Sequence, residues 1–238
     1  MSKHPSRHSS SDWPTYYRSA HGCTVTTVDG EVFIDMGLMG IGACALGYSH
    51  PAVNEAVRKA VDAGVATTLN CEEEVLLAEE LLRLHSWAHS VRFARTGGEA
   101  CAVAVRLARA STGHDRVAIC GYHGWHDWYV SAALNDASAL SQHLRAGLST
   151  RGVPLSLDGT TEVFAYNDFA ELREITARPG LAAIVMEVER SAPPNADFLQ
   201  RVRAEASRVG AALIFDESTS GFRRVLGGHH LVYGVNPD

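Results

Sequence analysis

Lysine is almost absent from this chain. Of its 21 basic residues only Lys3 and Lys59 are lysines, and the other 19 are arginine. Chemistry that needs a buried amine must use one of those two or obtain the amine elsewhere. No CxxC pair exists. Five cysteines (Cys23, Cys44, Cys71, Cys101, Cys120), odd in number and widely spaced, fit reduced thiols better than a disulfide framework or a zinc site, and so predict a cytoplasmic setting. The 12 histidines include no HExxH. His123 and His126 stand three apart, but Gly124 and Trp125 separate them and no third ligand is evident, so they read as loop histidines and no metal is assigned. No apolar run approaches the length of a membrane helix, and the opening MSKHPSRHSSSDWP lacks the apolar core of a secretory signal. A formal net charge of -6 offers no basic field for nucleic acid or for an anionic membrane surface.

What remains is ordinary for a globular protein: 238 residues, 46% hydrophobic and 20% charged, enough for one large domain or two small ones with a real core. Residues 1–12 are polar and predict a disordered tail. Cys23 to Thr27 and Glu31 to Ile34 flank Asp29-Gly30 and predict a β-hairpin. The glycine-rich stretch MGLMGIGACALGYSHP completes a segment running over 13–50. Pro51 suits the first position of a helix whose face carries Val53, Val57 and Val61, and EEEVLLAEELLRL (72–84) predicts a second. Strands and helices then alternate. Strands are predicted at Ser90–Ala94, Arg116–Cys120, Glu162–Ala165, Leu181–Met186 and Ala211–Phe215. Helices are predicted at Glu99–Ala110, from Asp168 to about Ala177, and over 196–208. Continuous apolar strands between helices predict an α/β fold: a mostly parallel sheet with helices on both faces.

In such a sheet ligands bind beyond the carboxyl ends of the strands, and three segments there carry chemistry. Gly97-Gly98 lies between a strand and a helix, where free N–H groups and the helix dipole suit a phosphate; a structural tight turn reads equally well. Gly121-Tyr122-His123-Gly124-Trp125-His126 is dense in rings able to stack on a planar heterocycle, or to pack the loop on its domain. Phe215-Asp216-Glu217-Ser218-Thr219 puts a carboxylate at the end of an apolar strand, which calls for a cation, unless it merely caps the next turn. Taken together, a phosphate turn, a stacking ring and a strand-end carboxylate describe a grip on pyridoxal 5'-phosphate, whose ring nitrogen the Asp would keep protonated.

The segments DGEVFIDM, LGYSHPAV, RTGGEACAVAVRLARA, GYHGWHD, AAIVMEVE, LIFDESTSGFR and YGVNPD occur in that order. With them the chain resembles the class III aminotransferases, fold-type I pyridoxal-phosphate enzymes that include glutamate-1-semialdehyde aminomutase. GYHGWHDWYV and GGHHLVYGVNPD are most similar to members from surface-polysaccharide gene clusters. The resemblance implies that Gly97 and Gly98 bind the phosphate, Tyr122 stacks on the ring with His123 beside it, and Asp216 pairs with the pyridine nitrogen. It sets Ser218 where the family usually has Val against the ring face, Thr219 where Gln is common near the 3-oxygen, and Glu187 in the Met-Glu-Pro segment, with Val188 replacing the proline. Gly98 replaces the usual Ser or Thr of the phosphate turn.

The resemblance also implies an absence. The Schiff-base lysine of the family follows the YGVNPD-like segment, and neither Lys3 nor Lys59 matches it. Residues 51–238 would be an incomplete large domain, without its last strands, its lysine and the small domain. Catalytic residues are therefore assigned to none, and the chain is read as an N-terminal fragment or split half of an aminotransferase or aminomutase, not active alone. The alternative is a non-catalytic pyridoxal-phosphate-binding, sugar-binding or interaction module derived from that family. Implied partners are an amino donor, a carbonyl substrate (a keto-sugar through the subgroup), and a second copy or a complementary C-terminal half.

Overall fold

The computed structural model describes residues 14–141, 148–189 and 191–238, which fall into two compact units dividing after Cys71. The tail predicted over 1–12 lies outside the described residues.

The first unit holds an antiparallel sheet in the order β1 (Tyr17–His21), β2 (Thr24–Thr27), β3 (Val32–Ile34). The predicted hairpin is β2–β3. Gly30 turns it at φ 91°, a conformation open to glycine, and its N–H donates to the Thr27 carbonyl at 3.1 Å. β1 escapes prediction because YRSAH has no apolar–polar alternation to announce it. In the glycine-rich stretch Gly22 bridges to Tyr48, whose hydroxyl donates to Asp35 at 2.6 Å. That bond holds the Asp35 carboxyl below the usual carboxylate range. Helix α1 (Pro51–Ala63) starts with proline at its first position and buries no residue.

The second unit begins with α2 (Glu72–Leu84), with three glutamates in its first turn. Helix α3 (Gly97–Thr112) leads into β4 (Arg116–Cys120), and the short α4 (Asp127–Val130) follows. Then come β5 (Thr161–Val163), α5 (Phe169–Thr176), β6 (Leu181–Glu187), α6 (Phe198–Val209), β7 (Ala212–Asp216) and the single turn α7 (His230–Tyr233). The four strands pair in parallel in the order β5-β4-β6-β7. The predicted cap of α5 is Asp168, whose carboxylate accepts from the N–H groups of Ala170 and Glu171.

The predicted strand at Ser90–Ala94 is a correction: these residues form no strand. Its residue types suit β structure, but a strand exists only against a neighbour, and among the described residues none pairs with it.

Helices cover both sheet faces. On one, Ala118, Cys120, Ile184, Met186 and Leu213 pack with Leu172 and Ile175 of α5 and Leu199, Val202 and Ala206 of α6. On the other, Val117, Ile119, Ala183 and Val185 pack with Cys101, Val105 and Ala108 of α3. Alternating side chains fix which residue faces which cover.

Candidate cofactor site at the strand ends

On the α3 face three side-chain rows run to the carboxyl ends of the strands: Val117-Ile119-Gly121, Ala183-Val185-Glu187 and Ala212-Ile214-Asp216. The first two members of each row are apolar. The last is a glycine in one row and a carboxylate in the other two. Glu187 and Asp216 are register partners on neighbouring strands, so the sheet holds two acids side by side.

Asp216 is held from three directions. His123 Nδ1 lies 2.9 Å from Oδ2, the Cys101 thiol donates to the same oxygen at 3.4 Å, and the Ser218 N–H donates to Oδ1 at 3.0 Å. Burial pushes the Asp216 carboxyl up, but hydrogen bonding and charge from His123, with the Ser218 bonds, outweigh it, and the group titrates below its ordinary value. The strand-end Asp is thus an ionised acceptor. His123 is buried, and its Nε2 lies 3.2 Å from the Cys120 carbonyl.

The twin glycines open α3. Thr96 caps it, accepting from the Glu99 N–H at 3.1 Å, while Glu99 reaches back to the Arg95 N–H at 2.8 Å. The N–H groups of Gly97 and Gly98 lie in the first turn, where a helix has no carbonyl four residues earlier to receive them. The packing is tight here. A Cβ on Gly97 would stand 2.5 Å from Ser218 Oγ, and one on Gly98 would stand 3.0 Å from the His126 ring. One on Gly124 would meet the Gly98 backbone at 2.9 Å, and one on Gly121 would meet Glu187 Oε2 at 2.6 Å.

The α3 turn, the loop after β4, and the ends of β6 and β7 therefore close on one another. Gly97, Gly98, His123, Glu187, Asp216 and Ser218 all contribute, and the Thr219 hydroxyl reaches Glu187 at 3.5 Å. Tyr122 is half-buried on the same loop, with its ring edge-on to Tyr129. The dense aromatics split into two roles. Trp128 and Tyr129 pack the loop, Tyr129 donating to the Gly121 carbonyl at 3.0 Å, while Trp125 is exposed and stacks on His126.

These residues fit a flat, phosphorylated, nitrogen-bearing ring. At Gly97 and Gly98 the backbone is bare, and a Cβ would crowd Ser218 Oγ and the His126 ring. A carboxylate held below its ordinary titration range offers an acceptor of the kind a pyridinium N–H needs, and His126 Nδ1 is buried without a partner among the described residues. No lysine is found in the second unit; Lys59 is on α1, exposed and 3.6 Å from Glu55.

Sequence reasoning missed Cys101, although its spacing from Val105 and Ala108 marks the buried stripe of α3. It also missed a second set of acids. Glu217 accepts from His230 Nδ1 at 2.6 Å, and Trp87 Nε1 donates to His230 Nε2 at 3.0 Å. Glu189 receives His229, Tyr233 and Arg224.

The comparisons agree. The family described as Aminotransferase class-III matches residues 6–238. The glutamate-1-semialdehyde 2,1-aminomutase of Nitratidesulfovibrio vulgaris (strain DP4) is 36% identical over 233 residues, covering 94% of this chain and 54% of the relative. Among solved structures, an omega-transaminase from Sphaerobacter thermophilus superposes with a TM-score of 0.83 at 30% identity, covering 96% of this chain and 54% of that one. A transaminase with PLP bound superposes at 0.82, also at 30% identity and with the same coverage. The chain spans about half the length of the relatives it matches, and it belongs to the class III aminotransferase family.

Proposed function

We propose that this chain provides the cofactor-binding half of a pyridoxal-phosphate-dependent aminotransferase or aminomutase. The observation that carries the reading is the placement of Asp216 at the end of a parallel strand, held by His123, the Cys101 thiol and the Ser218 N–H, on the side of the sheet covered by the helix that the twin glycines open. The Gly97 and Gly98 N–H groups and the α3 dipole bind the phosphate. Tyr122 and Ser218 flank the ring. Asp216 accepts the ring N–H and keeps that proton in place. Thr219 would serve the 3-oxygen, with Glu187 within reach of its hydroxyl. The bound cofactor supplies an electron sink for the carbanion formed at an amino-bearing carbon. The substrates are an amino donor and a carbonyl acceptor, a keto-sugar being the acceptor the subgroup resemblance favours. Lysine chemistry has to come from a complementary C-terminal half or from a longer form of the chain, assembled as a dimer.

The test is a titration of the purified chain with pyridoxal phosphate, followed by borohydride and mass analysis. Reversible binding that borohydride does not trap supports the reading. A pyridoxyl group fixed on Lys59, or no binding at all, overturns it.

A further inference from the structure

We propose that, in the absence of the cofactor, Cys101, His123 and Asp216 form a binding site for a thiophilic divalent cation, with zinc the ion their donor atoms suit. The Sγ, Nδ1 and carboxylate oxygen of these residues lie within 4.8 Å of one another. They come from three elements fixed by the core: α3, the loop after β4 and the end of β7. The sequence hid the set, because the near neighbours of His123, Cys120 and His126, are not part of it; the fold brings one ligand from 22 positions before His123 and another from 93 after it.

Two features separate the cluster from a chance meeting of polar groups. The first is its chemistry. Cysteine, histidine and carboxylate are the three ligand types zinc takes, and three protein ligands leave a fourth position for water. Around a tetrahedral zinc, neighbouring N and O ligands stand about 3.3 Å apart and S and O about 3.5 Å. Here Nδ1 to Oδ2 is 2.9 Å and Sγ to Oδ2 is 3.4 Å, two edges close to those spacings, and the third edge, Sγ to Nδ1, lies within 4.8 Å. The second is the outer contacts. Metal-binding histidines commonly donate their other ring N–H to a carbonyl or carboxylate, and ligating carboxylates are themselves hydrogen-bonded. His123 Nε2 faces the Cys120 carbonyl, which leaves Nδ1 turned inward. The Ser218 N–H holds Oδ1, which leaves Oδ2 turned inward.

Burial first, and then the charge of Asp216, keep Cys101 a thiol, and Glu187 adds to the negative field. A dication reverses that balance. On binding, the Cys101 thiol proton and any proton on His123 Nδ1 leave to solvent, and sulfur and nitrogen donate their pairs to the metal. If Asp216 also serves the pyridine nitrogen, as proposed above, metal and cofactor exclude each other.

Cobalt(II) is the probe, added to the cofactor-free chain under a non-thiol reductant. To remove the exposed and half-exposed thiols, Cys23, Cys44 and Cys71 are first replaced by serine. One equivalent should give the visible bands of a four-coordinate ion and a thiolate-to-cobalt charge-transfer band. Cys101→Ser should abolish the charge-transfer band with the circular dichroism unchanged, and should weaken zinc binding by at least the roughly 10–100-fold that losing a hydrogen-bond partner of a ligand costs. Absence of the band, or its survival in C101S, overturns the site. Pyridoxamine phosphate gives the second arm. Cobalt bands that persist when its binding is shown by calorimetry overturn the mutual exclusion. Cobalt binding without any pyridoxamine phosphate binding supports the metal site while sinking the cofactor reading.

Discussion

The two faces of the parallel sheet are made by the same strands and end differently. On the α5–α6 face the rows stay apolar to the end, through Met186 on β6 with Val188 just past it, and Leu213 and Phe215 on β7. Beyond them Glu217 accepts from the backbone N–H groups of His229 and His230 and from His230 Nδ1. On the α3 face the rows give way to Gly121, Glu187 and Asp216 at the last step. One face is therefore devoted to cohesion, and the other gives up apolar burial at its rim to hold charge. Because side chains alternate, a strand can serve both purposes without compromise between them.

Substitutions on each face should separate these roles. The largest effect on folding is expected from Leu199→Ala. This side chain is fully buried in the α6 packing, and its loss should cost about 2–5 kcal/mol, read as a lower urea midpoint with an unchanged slope. Its effect on the affinity of the surviving folded fraction for pyridoxamine phosphate should be small.

Gly121→Ala comes next and acts on the backbone and on the site together. Gly121 has φ 122°, and a Cβ there meets Glu187. Strain of about 1–3 kcal/mol and a displaced Glu187 are expected. Gly152→Ala, also at positive φ but with open space around it, should cost less. Comparing the two thermal midpoints isolates the crowding at the site.

Acid sharpens the same contrast away from the site. Arg208, burial, Thr176 and Arg173 together set the Glu205 pKa at about 2, with the hydrogen bonds winning over desolvation. Its folded value is depressed, so its contribution is full above the ordinary glutamate range and disappears as pH falls from about 4.5 towards 2. Glu205→Gln should flatten that part of the stability–pH curve. The smallest effect is expected from Thr219→Ala, whose contact with Glu187 is 3.5 Å long and which should change cofactor affinity only a few-fold.

Much of this was legible in the residues. α2 and β4 have the predicted bounds, because a clean helical period and a short apolar run need only local information. Chain order alone put Asp216 and Ser218 past a strand end, whereas Gly97 and Gly98 were placed after a strand at Ser90–Ala94 that does not form, and it is the start of α3 that positions them. Ser90–Ala94 failed because strand formation depends on a partner that local sequence does not report. Cys101 was silent for a similar reason. On a helix it reads as one more small apolar residue, and only the 115-residue span to Asp216 gives it chemistry.

The most direct test is the dissociation constant of pyridoxamine phosphate for the unaltered chain and for Asp216→Asn. This compound carries the phosphate and the ring but needs no lysine. A hydrogen bond between charged groups contributes about 1.5–3 kcal/mol, so the account predicts affinity lower by roughly 10- to 150-fold in the Asn variant with the fold intact. Equal affinities would contradict it.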